Sequence, residues 1–261
     1  MKLFLDAVGL RGPGLDGWEA SAPILAGNAP YLPASTAIPP AALLPPNERR
    51  RAPQTVKLAL AVGAEAFASA GIAPSDCAAV FASSGGDGET IHGILATLAG
   101  PVRELSPTRF HNSVHNVAAG YWSIATGAKT PATSLCAHDG SLAAGLLEAG
   151  AQALAGGIVA MVAYDLPYPE PLASARHIGA AFGVTLLLSS VVSTRSLARL
   201  EIELCAPGDY ACVTPELEAL RRDIPAARVL PLLEALARRE ETAVMLEYLE
   251  DLALTVRVVP L

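Results

Sequence analysis

The sequence predicts an α/β fold: a mixed, mostly parallel sheet layered between helices, followed by a short α+β extension at the C-terminal end. Three observations predict it. Strand-like and helix-like segments alternate along the chain. Two runs, Ile158–Asp165 and Ala180–Leu188, are almost continuously apolar, as strands buried on both faces are. The segment Gly140–Ala155 carries Leu142, Ala143, Leu146, Leu147, Ala149, Ala153 and Leu154 around nearly its whole circumference. Only Glu148 and Gln152 interrupt it, so this helix is expected to be buried. With 261 residues, 52% hydrophobic and 16% charged, the chain can bury a large core. One domain over residues 1–261 accommodates it, with about 190–261 as the extension.

The elements follow in order. Met1–Val8 reads as an edge or early strand. Arg11 to Pro46 is rich in proline, glycine and alanine, with Pro39-Pro40 and Pro45-Pro46 as breakers, and reads as a long covering loop. Arg49-Arg50-Arg51 follows Asn47-Glu48 and reads as a solvated helix start. Val56, Ala59, Leu60, Gly63 and Phe67 recur at helical spacing from Thr55 to Gly71. Asp76–Ser84 is a buried strand that ends in Gly85-Gly86-Asp87-Gly88, and a helix starts near Glu89. That glycine run has neither the Lys-Ser/Thr of a phosphate loop nor the dinucleotide fingerprint, so it reads as a tight strand-to-helix turn. Asn116–Thr126 is helical, and Ala132–Cys136 is a short central strand. Leu166–Pro171 is a stiff, extended, proline-rich loop. Strands at about Leu200–Cys205 and Leu254–Val259 flank helices near Pro215–Arg222 and Leu230–Arg239, and Met245–Tyr248 is ambiguous.

Composition excludes several functions. The net charge is −7 and the one dense basic run is Arg49–Arg51, far from the broad cationic surface that displaces phosphate counterions, so no nucleic-acid partner is expected. No apolar run is long enough to span a bilayer, and no secretory signal pattern opens the sequence. Cys77, Cys136, Cys205 and Cys212 lack CxxC spacing, and free thiols in a cytoplasmic protein are their simplest account. His111 and His115 are four apart, but no acidic residue or third ligand accompanies them, so no metal is expected. No cofactor motif is found.

The most informative stretch runs Ser106-Pro107-Thr108-Arg109-Phe110-His111-Asn112-Ser113-Val114-His115-Asn116-Val117-Ala118-Ala119-Gly120, then through Tyr121-Trp122 to Ser134-Leu135-Cys136-Ala137-His138-Asp139-Gly140-Ser141. Together with Asn47–Arg51 and Tyr164-Asp165-Leu166-Pro167-Tyr168-Pro169-Glu170-Pro171, it resembles the β-ketoacyl synthase-like N-terminal family. The resemblance covers about Met1–Ser189 and is most specific over Ser106–Asp165. It implies a thiolase-like N-terminal half, with the nucleophilic cysteine of the synthases falling on Asp139. A carboxylate at a helix start is also a good N-cap, which accounts for Asp139 without catalysis. Acyl storage on it argues against itself, because attack on a thioester would give a higher-energy mixed anhydride.

Cys136, three residues earlier, reads as a packed thiol at a strand exit. His138, Asp139 and Ser141 are too close along the chain to converge as a triad. No histidine follows His177, so the C-terminal catalytic residues of the synthases are missing. The resemblance therefore implies a non-catalytic, chain-length-factor-like subunit beside an active ketosynthase, served by an acyl carrier protein, in aryl polyene, polyketide or fatty-acid-type synthesis. It also implies that Phe110, His111, Asn112, His115, Asn116, Tyr121 and Trp122 line the subunit interface or the acyl tunnel. A free-standing acyltransferase or hydrolase using Cys136 or Asp139, and a homodimeric scaffold, are the alternatives.

Overall fold

The computed structural model describes residues 1–261. Its strands are β1 (Lys2–Gly12), β2 (Leu15–Asp16), β3 (Ala78–Ala82), β4 (Ala132–Leu135), β5 (Ile158–Asp165), β6 (Phe182–Ser189), β7 (Ala198–Cys205), β8 (Thr242–Glu247) and β9 (Ala253–Pro260). They form one sheet in the order β4-β3-β5-β6-β1-β7-β9-β8, with β2 attached to β1. The mixed, layered sheet is the one expected, but its parallel part is smaller. Only β3–β4 and β3–β5 run parallel, while β5–β6, β6–β1, β1–β7, β7–β9 and β9–β8 are antiparallel. The reason lies in the strand order: β6 turns back on β5, and β1 and β9 are then inserted antiparallel between strands that themselves run the same way, β1 between β6 and β7 and β9 between β7 and β8. β1 is not an edge strand either, since it lies between β6 and β7 near the middle of the sheet.

The helices are α1 (Trp18–Leu25), α2 (Pro46–Arg51), α3 (Gln54–Ala70), α4 (Gly88–Ala99), α5 (Pro107–Asn112), α6 (Val117–Thr126), α7 (Ser141–Ala155), α8 (Leu172–Ala175), α9 (Pro215–Asp223) and α10 (Leu230–Arg238). The Arg49–Arg51 triplet forms the last turn of α2, where cations oppose the negative helix end, rather than its start.

Strand alternation sorts the core into two layers. Along β5, Val159, Met161 and Ala163 join a cluster with α7 and α10, whereas Ala160, Val162 and Tyr164 join a cluster with α3 and α6. α7 is buried as expected, with Leu142, Ala143, Leu146, Ala149 and Ala153 inside. α3 lies unusually close to the sheet. A Cβ at Gly9 would stand 1.9 Å from the Val62 carbonyl oxygen, and one at Gly183 would stand 2.9 Å from Leu58. The α3 backbone rests where a side chain at Gly9 would be, and the Leu58 side chain where one at Gly183 would be.

Candidate functional site

The parallel strands β3, β4 and β5 end on the same side of the sheet, the side where open α/β sheets place their sites. β3 leads through Ser83-Ser84 into the glycine turn, where Asp87 caps α4 by accepting the Thr90 N–H at 2.7 Å. Tyr168 from the proline-rich loop lies flat on this turn: a Cβ at Gly85 would meet its hydroxyl at 1.6 Å, and one at Gly88 its ring at 2.1 Å. The glycine run is thus a seat for Tyr168.

Asp165, at the end of β5, ties the strand ends together. It is 3% exposed, and its carboxylate accepts the Ser84 N–H at 2.8 Å, the Ser84 hydroxyl at 2.7 Å and the Ala226 N–H at 2.9 Å. Burial pushes its carboxyl up to about 6, against those donors, which hold it down. The native chain therefore keeps this proton at a pH where the unfolded chain has lost it. The burial cost of the charge is present above pH 6 and is relieved as the pH falls toward 4. Asp165→Asn removes this titration, and its amide faces N–H donors. The stability of wild type over the variant should widen by about 1–3 kcal/mol between pH 7 and pH 5. Paired thermal melts at the two pH values check this, and a constant gap would refute it.

β4 leads into the turn that carries the expected nucleophile position. His138 takes a left-handed conformation (φ 50°), and Asp139 and Gly140 precede α7. Ser141 holds the turn together: its hydroxyl donates to the His138 carbonyl at 2.6 Å and accepts the Ala137 N–H at 2.9 Å. At 2% exposure it is a structural hydroxyl.

Asp139 is not the helix cap that its position suggests. No side chain caps α7. The Asp139 carboxylate turns instead toward two guanidinium groups. Arg176 donates to Oδ1, and Arg228 lies 3.3 Å from Oδ2 while also donating to the Asp139 carbonyl at 3.0 Å. Partial burial pushes the carboxyl up, but the Arg176 hydrogen bond and the Arg228 charge outweigh it and hold the group below its ordinary value. The ion pairs continue outward from Arg228 to Glu247 at 2.9 Å, from Glu247 to Arg221, and from Arg221 to Glu218 at 2.7 Å. Arg221 holds the Glu218 carboxyl down to about 2. The C-terminal segment also covers the turn, because a Cβ at Gly140 would stand 2.3 Å from the Tyr248 carbonyl oxygen. A cleft of ≈ 450 Å³ remains, lined among others by His138, Asp139, Arg228 and Tyr248. Sequence reading missed Arg176, Arg228, Glu247 and Tyr248, because nothing along the chain links them to Asp139.

Cys136 is exposed at the exit of β4, with its thiol 3.2 Å from the Ser84 carbonyl, and not packed as expected. The remaining site candidates divide into two groups. Phe110 is 65% exposed, and His111 and Asn116 are exposed as well. Tyr121 and Trp122 belong to the protein's own core, at 2% and 1% exposure. Trp122 packs on Phe67, with ring centroids 5.5 Å apart, and its ring fills the space at Gly63 on α3. Asn112 is buried too: its amide donates to the Arg51 carbonyl at 2.9 Å, and it accepts from the Tyr121 hydroxyl at 3.3 Å. His115 is partly buried, and its Nε2 has no partner.

The family model for the N-terminal domain of β-ketoacyl synthases matches residues 25–241. The chain belongs to that family. No curated protein matches its sequence. Among solved structures, a ketosynthase (ApeO) in complex with its chain length factor (ApeC), from Xenorhabdus doucetiae, aligns with a TM-score of 0.75 at 21% identity, over 98% of this chain and 99% of that one. A type II polyketide synthase acyl-carrier protein in complex with its ketosynthase bound to the hexaketide (AntDE:AntF) gives a TM-score of 0.75 at 9% identity, over 100% of this chain and 99% of that one. The ketosynthase from module 6 of the bacillaene synthase of Bacillus subtilis 168 gives 0.60 at 14% identity, over 88% of this chain but 46% of that one. The fold is the thiolase-like fold of the β-ketoacyl synthases. No helix is long and apolar enough to cross a membrane.

Proposed function

We propose that this β-ketoacyl synthase-family chain is a non-catalytic, chain-length-factor-like subunit. It pairs in the cytoplasm with an active β-ketoacyl-acyl carrier protein synthase and shapes the acyl tunnel of that enzyme. The observation that carries this reading is the state of the nucleophile position: Asp139 is neutralised by Arg176 and Arg228, and the turn is covered by the Tyr248 backbone. The charge and hydrogen bonds of the carboxylate are committed to the two arginines. Acyl carrier protein reaches the complex through the partner. The likeness to these ketosynthase complexes supports a pathway of the aryl polyene, polyketide or fatty-acid type.

An unsatisfied surface supports the pairing. α4 is a mostly apolar helix in which only Gly88 is buried, and α5 packs beside it through Arg109 against Gly93. Leu95, Leu98, Val102, Phe110, Val114 and Ile124 are all large and exposed along this stretch. Apolar side chains concentrated on one surface mark an interaction face. Phe110 is its largest member, and aromatic anchors tend to carry interface energy. Phe110→Asp should abolish co-purification with a ketosynthase that the wild-type chain binds, while leaving the melting temperature unchanged; undiminished association would refute the assignment. With malonyl-loaded carrier protein, the chain alone should give no condensation product. Turnover by the chain alone that disappears in Cys136→Ala would favour the free-standing acyltransferase instead, and a stable homodimer indifferent to the synthase would favour a scaffold.

A further inference from the structure

The chain's charge is unevenly placed. After Leu200 there are twelve acidic residues against six arginines, so this segment holds −6 of the total −7. All six arginines are engaged: Arg221, Arg222, Arg228, Arg238 and Arg257 in ion pairs, and Arg239 on the Leu261 carbonyl. Glu203, Asp209, Glu216, Glu240, Glu250 and Asp251 are exposed and form no ion pair. The acidic surplus is uncompensated.

This segment ends the sheet on an open edge. β8 pairs with β9 in unbroken register from Thr242–Val258 to Glu247–Ala253, and no strand lies on its other side. Thr242-Ala243-Val244-Met245 brings neither proline, lysine nor a bulge, the usual protections of an edge. The loop after β7 passes nearby without pairing. Glu218 binds the Cys212 N–H at 2.9 Å, and the buried Glu234 binds those of Val213 and Thr214 at 2.8 and 3.2 Å. Between this anchored loop, α10 and the β8 edge lies a cleft of ≈ 480 Å³, with Tyr210, Pro231 and Met245 among its walls and Asp209 and Glu240 at its rim.

We infer that this cleft receives an extended basic segment of a partner protein, which adds a strand to β8. The edge supplies main-chain hydrogen bonds, the cleft takes alternate side chains, and the acidic rim selects lysine or arginine between them. A second copy of this chain does not fit, because its own edge carries the same acids, and like charges face to face are repulsive. The site adjoins the Asp139 cleft, with which it shares Tyr210 and, at the end of β8, Glu247, but it does not use the α4–α5 surface and does not depend on pairing with a synthase.

The test uses the whole chain and two labelled nine-residue peptides, one alternating lysine and valine and one alternating glutamate and valine. The basic peptide should bind in fluorescence polarisation, more weakly at high salt. Its binding should slow amide exchange across residues 242–247, and the Asp209→Lys/Glu240→Lys double variant, altered only at exposed positions, should lose at least tenfold in affinity. The proposal fails if the basic peptide does not bind, if the acidic one binds equally well, or if the double variant binds undiminished. It also fails if protection falls outside 242–247 or rises there with the chain's own concentration.

Discussion

Asp139→Cys should give a thiolate at pH values where ordinary cysteines remain protonated, and should still give no condensation. The substitution removes the carboxylate that Arg176 and Arg228 now neutralise and leaves both cations beside a thiol at the start of α7. Thiols so placed titrate about 1–5 pH units below the ordinary ~8.5. Alkylation by iodoacetamide across pH 5–9, in a Cys136→Ala background that removes the exposed native thiol, measures the shift. A midpoint no lower than that of Cys136 in the otherwise wild-type chain would mean that the two arginines do not act on this position. The absence of turnover has a separate cause. It is expected from the proposed non-catalytic role, with which the lack of any histidine between His177 and Leu261 agrees.

Gly9→Ala should be among the most destabilising single-methyl additions in the molecule, at about 3 kcal/mol. The new Cβ meets a backbone oxygen of α3 at 1.9 Å, and neither β1 nor α3 can retreat from the core between them. For a domain of this size the melting temperature should fall by about 6–12 °C. Gly120→Ala provides the opposite sign: nothing lies within 4 Å, the residue is exposed in α6, and helix propensity favours alanine by about 1 kcal/mol. Thermal melts of the two variants should bracket the wild type. If both fall on the same side, the close packing of α3 on the sheet is wrong.

What could be read from the sequence was what periodicity controls. β5 is observed over Ile158–Asp165 as read, because a continuous apolar run of that length admits one arrangement between two helical layers. α7 and α10 were equally legible. Met245–Tyr248 was ambiguous because β8 faces the core on one side only, and its edge leaves the alternation weak. α1 and α5 escaped notice because proline sits inside the first, and the second is six residues long and mostly polar. The burial of Tyr121 and Trp122 was illegible for a different reason. Large aromatics suit an interface and a core alike, and only the glycine at position 63 of α3 settles which. The site itself was half visible. The position of Asp139 followed from the motif, but its direction did not, since its partners lie 37 and 89 residues further along.

The central place of β1 bears on how the chain is made. Residues 2–12 leave the ribosome long before their neighbours, which are 182–189 and 198–201. At about 5–20 residues per second, synthesis keeps Leu3, Leu5, Val8 and Leu10 waiting roughly 10–35 s for a strand to pair with. During that interval a strongly apolar segment is free to stick to other nascent chains. The helices around α3 can form locally, but the sheet cannot close until its first strand is captured by two of its last. Yield in a heterologous host should therefore depend on holdase chaperones and lowered growth temperature more steeply than its calm equilibrium packing suggests.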